Sequence, residues 1–128
     1  MVYKGLTLGK LGKLDEEIAA FDRAIEINPQ DSDAWNNKGL AQTKLNKYDE
    51  AIKAYDKAIE INPQDSKAWY SKGIDLGRSG KFDEAIKAYD KAIEINPQNS
   101  MAWNNKGAAL YNLNKSEESR PAIGLTPR

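Results

Sequence analysis

The sequence predicts an all-α protein, an α-solenoid in which antiparallel helix pairs are stacked side by side. Three markers recur with a period of 34 residues: tryptophans (Trp35, Trp69, Trp103), glycines (Gly5, Gly39, Gly73, Gly107) and prolines (Pro29, Pro63, Pro97). The segment from Asp49 to Gln64 also recurs without change as Asp83 to Gln98. A unit of this length cannot bury its apolar face alone, so neighbouring units must stack.

Each complete unit is predicted to contain two helices. In the first complete unit, one helix runs from about 33 to 45, with Asp31 or Ser32 as its N-cap. The other runs from about 49 to 61, where apolar and small residues recur at spacings of three, four and seven. Pro63 ends this second helix, because the residue before a proline is disfavoured in the α region.

The period divides the chain into five parts. We expect an incomplete first repeat at 1–31, full repeats at 32–65 and 66–99, the first helix of a further repeat at 100–113, and a polar tail at 114–128. Pro121 is expected to interrupt any helix in the tail.

The first repeat departs from the pattern. It lacks its opening residues, its glycines weaken a helix, and Glu17 stands where the other repeats have a small alanine. We therefore expect this end to be frayed or locally shifted. The glycine-rich segments 9–13 and 77–81 are interpreted as turns between helices, since their spacing is wrong for a phosphate-binding loop.

The composition argues against several classes of function before any site is considered. Lysine plus arginine number 19 and aspartate plus glutamate number 19, which argues against nucleic-acid binding by phosphate neutralisation. The chain has no cysteine and no histidine, so it lacks thiolate metal ligands and imidazole bases. No apolar run is long enough to span a membrane. We expect a cytoplasmic protein that is not an enzyme, with no cofactor, no metal, and neither nucleic acid nor membrane as a partner.

The residues that recur within each unit carry a resemblance to a known family. The positions are tryptophan, glycine, alanine, aromatic, alanine and proline: Trp35, Gly39, Ala51, Tyr55, Ala58, Pro63; then Trp69, Gly73, Ala85, Tyr89, Ala92, Pro97; then Trp103 and Gly107. Here the chain resembles the tetratricopeptide repeat over about residues 1 to 113. A variant feature is lysine where the family usually has leucine, at Lys4, Lys38, Lys72 and Lys106. The resemblance implies a right-handed superhelix that serves protein–protein interaction.

The resemblance also implies a concave groove lined by the first helices. The matching positions, which we predict to bind a peptide, are Asn36, Asn37, Leu40, Lys44, Tyr70, Ile74, Arg78, Asn104, Ala108 and Tyr111. The second helices of the two full repeats are copies whereas these positions vary, which suits ligand recognition; neutral drift on a solvated face is the alternative. The amides suit an extended backbone, and the basic row at Lys10, Lys44 and Arg78 suits an acidic group. We predict a short, extended, acidic or C-terminal peptide as the ligand.

The family's two-carboxylate clamp for chaperone C-termini is not predicted. Of its five positions only Asn37 and Lys67 match, and Ser71 stands in the arginine place.

Self-association is the alternative function. Ala102, Ala109 and Leu113 are expected to lack a second helix to pack on, and uncapped ends of this kind drive head-to-tail oligomers. The acidic and basic residues of the second helices are expected to form solvated ion pairs within one helix; they are Asp56, Glu60, Asp90 and Glu94 with Lys53, Lys57, Lys87 and Lys91.

Overall fold

The structure is a computed structural model that describes the backbone of residues 2–118 and the side chains of residues 12–117. It contains six helices: α1 (Val2–Ile27), α2 (Ser32–Lys44), α3 (Tyr48–Ile61), α4 (Ser66–Arg78), α5 (Phe82–Ile95) and α6 (Ser100–Glu118). Helices α2 and α3 form one hairpin, α4 and α5 the next, and each hairpin packs against its neighbours along the chain. The predicted all-α solenoid is confirmed, since the described backbone has no strand. Among residues 2–118 no helix is both long and apolar enough to cross a membrane.

The N-terminal end differs from the expectation. Because α1 is one continuous helix, the segment 9–13 is helical and the turn predicted there is wrong. Of the turn predicted at 77–81, residues 79–81 do form the turn, where Gly80 takes a φ of 80°, whereas Gly77 and Arg78 still belong to α4. The first repeat has no tryptophan that could fix the start of a separate first helix, as Trp35, Trp69 and Trp103 do in the later repeats. Continuing the helix instead keeps the backbone N–H and C=O groups of this segment hydrogen-bonded.

The C-terminal helix is longer than expected. Helix α6 continues through 114–118, the start of the predicted polar tail, whereas 119–128, including Pro121, lie outside the described residues. Among the described residues no second helix follows α6, yet Ala102 and Ala109 are not exposed, because both are buried in clusters with residues of α5, the second helix of the preceding repeat. Small residues at these positions let α6 lie close to the preceding second helix.

Each hairpin begins at a fixed turn. The indole Nε1 donates to a proline carbonyl six residues earlier, in the pairs Trp35–Pro29 (3.0 Å), Trp69–Pro63 (3.0 Å) and Trp103–Pro97 (3.1 Å). Between the two N-cap candidates of α2, the structure selects Asp31, whose carboxylate accepts from the Ala34 amide. The turn is therefore held by side chains that recur in every repeat.

The variant lysines join consecutive repeats. Each of the three variant lysines whose side chain the structure describes pairs at 2.7 Å with an aspartate of the preceding helix, in the pairs Lys38–Asp22, Lys72–Asp56 and Lys106–Asp90. Each ammonium also lies within 5.6 Å of the centroid of a tryptophan ring in its own helix. Asp56 and Asp90 thus pair between helices, contrary to the expectation, whereas Lys57–Glu60 and Lys91–Glu94 do pair within one helix.

A glycine–tyrosine contact lies at the centre of each complete hairpin. The Tyr55 ring lies against Gly39 so closely that a Cβ at Gly39 would fall 2.5 to 2.9 Å from three ring atoms. Gly73 and Tyr89 repeat this contact in the next hairpin. Tyr55 is fully buried, so the first and second helices are in direct contact through the ring.

A buried acid links the two hairpins. Asp75 is fully buried, although the corresponding positions of the other first helices hold Ala41 and Ala109. The Thr43 hydroxyl donates to Asp75 Oδ2 at 2.6 Å and lies 3.0 Å from the Tyr55 hydroxyl. Oδ1 has no hydrogen-bond partner among the described residues. This network ties α2 to α4 directly beneath the surface that the first helices form.

The surroundings of this network shift two pKa values. Burial raises the pKa of Asp75 to about 6, against the opposing effects of the Thr43 hydrogen bond and the Arg78 charge. Burial also raises the pKa of Tyr55 to about 12. The Tyr55 hydroxyl therefore keeps its proton at neutral pH and can donate to Thr43 Oγ1, which leaves the threonine proton for Asp75.

The first prediction tests the glycine–tyrosine contact. Gly39→Ala forces the added methyl into the Tyr55 ring and should lower the free energy of unfolding by about 1–3 kcal/mol. Gly107→Ala is the matched control, because a Cβ there meets nothing within 4 Å and alanine favours the helix by up to about 1 kcal/mol. Urea unfolding followed by circular dichroism measures both. Equal effects of the two substitutions would contradict the contact.

The second prediction concerns pH. The folded-state pKa of Asp75 is about 6 and its ordinary value is 3.8, so the folded protein binds this proton more tightly. The contribution of Asp75 to stability is therefore greatest below pH 4 and is lost as the pH rises through 6. Relative to the unmodified protein, Asp75→Ala should therefore be more favourable at pH 7 than at pH 4, by up to about 3 kcal/mol in the free energy of unfolding. Urea unfolding of both proteins at each pH measures the difference; an advantage independent of pH would contradict the assignment.

Candidate peptide-binding groove

The first helices α2, α4 and α6 lie side by side and form one surface with two cavities. The α4–α6 cavity has a volume of about 450 Å³ and is lined by Tyr70, Ile74, Gly77 and Arg78 of α4, by Asn105, Ala108, Ala109 and Asn112 of α6, and by Phe82 and Tyr89 of α5. Arg78 is the one charged side chain among these residues. The cavity therefore offers an apolar wall with a single positive charge.

The α2–α4 cavity has a different chemistry. Its volume is about 580 Å³, and it is lined by Asp33, Asn36, Asn37 and Leu40 of α2, by the turn residues Asn62, Gln64 and Asp65, and by Ser66 and Lys67 of α4. Amide side chains dominate this lining. Each amide carries both donors and an acceptor, so the cavity suits a peptide backbone rather than an apolar side chain.

The structure places most of the predicted site residues in these two cavities. Tyr70, Ile74, Arg78 and Ala108 share the α4–α6 cavity, and Asn36, Asn37 and Leu40 share the α2–α4 cavity. Lys44, Asn104 and Tyr111 are exposed on the same helices but line neither cavity. The side chain of Lys10 lies outside the described residues.

On α6 the cavity residues differ by one position from the predicted ones. Asn105, Ala108 and Asn112 line the cavity at spacings of three and four, whereas the predicted Asn104 and Tyr111 are not among its lining residues. The exact rotation of a helix cannot be read from a pattern in which neighbouring residues Asn104 and Asn105 are identical.

Sequence analysis also missed residues outside the first helices. Phe82 closes the α4–α6 cavity from the start of α5, and Asn62 and Gln64 contribute from the turn after α3. One signal existed for Phe82, which stands where the preceding repeat has Tyr48 and directly before the copied segment. Asn62 and Gln64 belong to that copied segment and carry no such signal.

Contacts of aromatic side chains connect the helices around the α4–α6 cavity. Asn105 Nδ2 donates to the Tyr70 hydroxyl at 3.0 Å, which connects α6 to α4 across the groove. The Tyr70 and Tyr89 rings are 6.1 Å apart and tilted by 50°. The Arg78 guanidinium lies 5.8 Å from the centroid of the Tyr48 ring. Arg78 thus keeps an exposed charge at the cavity while its side chain is held against α3.

Within the described residues no group of three or more acidic side chains could hold a metal ion together.

Many solved structures are similar to this chain, among them three protein domains of comparable fold. The first TPR of Spaghetti (RPAP3), bound to the HSP90 peptide SRMEEVD, is 27% identical with a TM-score of 0.78 over 87% of this chain and 88% of that chain. The first TPR domain of human RPAP3, solved by NMR, is 27% identical with a TM-score of 0.81 over 92% and 93%. The crystal structure of MamA is 26% identical with a TM-score of 0.77 over 89% and 62%.

Sequence comparison leads to the same family. No curated protein matches the chain. Tetratricopeptide repeat family models match residues 4–31, residues 32–65 and 66–99, and residues 88–120. Since these matches include both complete hairpins and extend into α1 and α6, the chain belongs to the tetratricopeptide repeat family.

Proposed function

We propose that the surface formed by α2, α4 and α6 binds a short, extended peptide that carries acidic side chains or a free C-terminal carboxylate. The family and the similar structures support a peptide-binding, protein-interaction module in general. The acidic character of the ligand is our own proposal. We extend the proposal to a cytoplasmic setting and to a role without catalysis, both of which are expectations from the sequence.

The charge at the α4–α6 cavity is the observation that carries this proposal. Arg78 is exposed and is the one charged residue in a lining of apolar, aromatic and amide side chains. A guanidinium at the edge of an apolar cavity favours a carboxylate, which it can bind through two parallel hydrogen bonds. Ile74 and Ala108 then accommodate an apolar side chain of the same peptide. Lys44, at the corresponding position of α2, adds a second positive charge along the groove.

The α2–α4 cavity supplies the contacts for the backbone. Asn36, Asn37 and Gln64 line it, and amide side chains can pair with both the N–H and the C=O of an extended chain. Asp33 and Asp65 bring two negative charges to this lining and Lys67 one positive charge, so we expect the acidic groups of the ligand to lie at the α4–α6 cavity instead. The α2–α4 cavity would thus bind the peptide backbone, whatever the sequence, and the α4–α6 cavity would recognise particular side chains.

The similar structure with a bound peptide supports an acidic ligand class but not the same ligand. Spaghetti binds a peptide that ends in Glu-Glu-Val-Asp. In this chain Asn37 and Lys67 occupy clamp positions, whereas Ser71 stands where the clamp needs arginine. We therefore assign the main carboxylate contact to Arg78 and expect weaker binding than a complete clamp provides.

Charge reversal in the groove is the first test of this function. Arg78→Glu should weaken binding of the fluorescent peptide SRMEEVD by at least about tenfold, because a carboxylate then faces the acidic ligand. Lys53→Glu is the matched control, since it makes the same charge change on exposed α3. Fluorescence anisotropy measures binding, with a C-terminally amidated peptide and a peptide whose acids are replaced by lysine as comparisons. Tighter binding of the lysine peptide to the unmodified protein would overturn the proposal.

Filling the cavity is the second test. Gly77 lines the α4–α6 cavity, and a Cβ there meets nothing within 4 Å, so Gly77→Leu should fold normally while its side chain occupies the cavity. We expect peptide binding at least about tenfold weaker with no loss of thermal stability, because leucine favours a helix more than glycine does. Gly12→Leu on α1 is the control, as Gly12 is also exposed and helical with open space around it. Unchanged binding by Gly77→Leu would place the ligand elsewhere.

A further inference from the structure

Helix α6 presents a glycine with no ring against it. Gly39 and Gly73 are buried against Tyr55 and Tyr89, whereas a Cβ at Gly107 would meet nothing within 4 Å. One turn further along the same face, Leu110 is 47% exposed, although Leu76 at the corresponding position of α4 is 3% exposed. The face of α6 that would contact a second helix is therefore open among the described residues.

Helix α1 presents the complementary face. Its residues 14–27 correspond to the second helices α3 and α5, and Phe21 stands where those helices have Tyr55 and Tyr89. Phe21 is only half-buried, whereas both tyrosines are buried. Ala20 is exposed, although Ala54 at the corresponding position is buried. Because α1 is one straight helix, no first helix folds back over this face in the described backbone.

We propose that the open face of α6 packs on the open face of α1 of a second copy of this chain, so that two copies together complete one hairpin. In the shared register Phe21 would lie against Gly107, as Tyr55 lies against Gly39 within the chain. Leu110 would cover Ala20, as Leu76 is buried in one cluster with Ala88. The contact continues the interface that already recurs inside the molecule.

Net charge does not select this pairing, because α1 carries five acidic and four basic side chains and α6 carries two of each. A second copy is the occupant because its α1 offers the ring, Phe21, that the open Gly107 lacks within its own chain.

Glu17 limits the strength of the contact. It stands where α3 and α5 have Ala51 and Ala85, both fully buried, so the contact would partly bury a carboxylate. A single helix pair is also a small interface. The association is therefore weak. It is also heterologous, because different surfaces of the two copies meet, and it forms rings or open chains as it propagates.

Sedimentation velocity on the 128-residue chain, from about 10 µM to about 1 mM, tests the association. The sedimentation coefficient should rise with concentration. Gly107→Leu should abolish this rise while the helix content stays unchanged, since the monomer has space for the side chain. Ala108→Leu, one residue along on the groove side of α6, is the matched control and should still associate. Glu17→Ala should tighten the association by about tenfold, as it removes the buried carboxylate.

A mixing experiment tests which surfaces meet. Ala20→Glu blocks the α1 face and Gly107→Leu blocks the α6 face, so each variant alone should remain a monomer. An equimolar mixture keeps one intact pair of faces and should form heterodimers and nothing larger. A chain that stays monomeric at every concentration, an association that survives Gly107→Leu, or a mixture that remains monomeric would each overturn the proposal. The groove plays no part in this contact, so peptide binding by Gly107→Leu should be unchanged.

Discussion

The close approach of two helices through a glycine and an aromatic ring is the constraint on which this structure depends. Gly39 and Gly73 admit the rings of Tyr55 and Tyr89 to a distance that no side chain at the glycine would allow. This contact sets the separation of the helices within each hairpin. Alanines around the rings, such as Ala51 and Ala85, keep the two backbones close along the rest of the hairpin. The groove side chains, which differ between repeats, lie on the surface of this repeated core.

Connections between hairpins use polar interactions at the edge of that core. Each indole holds the preceding turn through a proline carbonyl, and each variant lysine pairs with an aspartate of the neighbouring helix. Such partly exposed pairs contribute about 1 kcal/mol or less each. These pairs fix the register between repeats, because they occur once per repeat and align each first helix with the preceding repeat. The first helices consequently form one continuous surface.

That surface combines a copied scaffold with varied side chains. The α4–α6 cavity exists because Gly77 and Ala108 are small while Tyr70 and Phe82 are large. Asp75 is buried at a position where the other first helices have alanine, and burial raises its pKa to about 6. The open faces of α1 and α6 each carry one half of this core contact, the Phe21 ring on α1 and Gly107 on α6. The peptide groove and the contact between copies that we propose both use this one repeating interface.

Periodicity alone determined the helices of the two complete repeats, the residues that pack between them and the face that carries variation, because a strict spacing of identical residues permits few arrangements. Other features depended on the tertiary structure. Whether residues 9–13 form a turn or remain helical depends on the tryptophan contact that the later repeats have and the first repeat lacks. The local sequence of 9–13 does not show that this contact is missing. Which amide of α6 lines the cavity, and which acid each lysine binds, depends on distances between helices that are far apart in the chain. The burial of Asp75 likewise follows from Thr43 and Tyr55 meeting it across two hairpins.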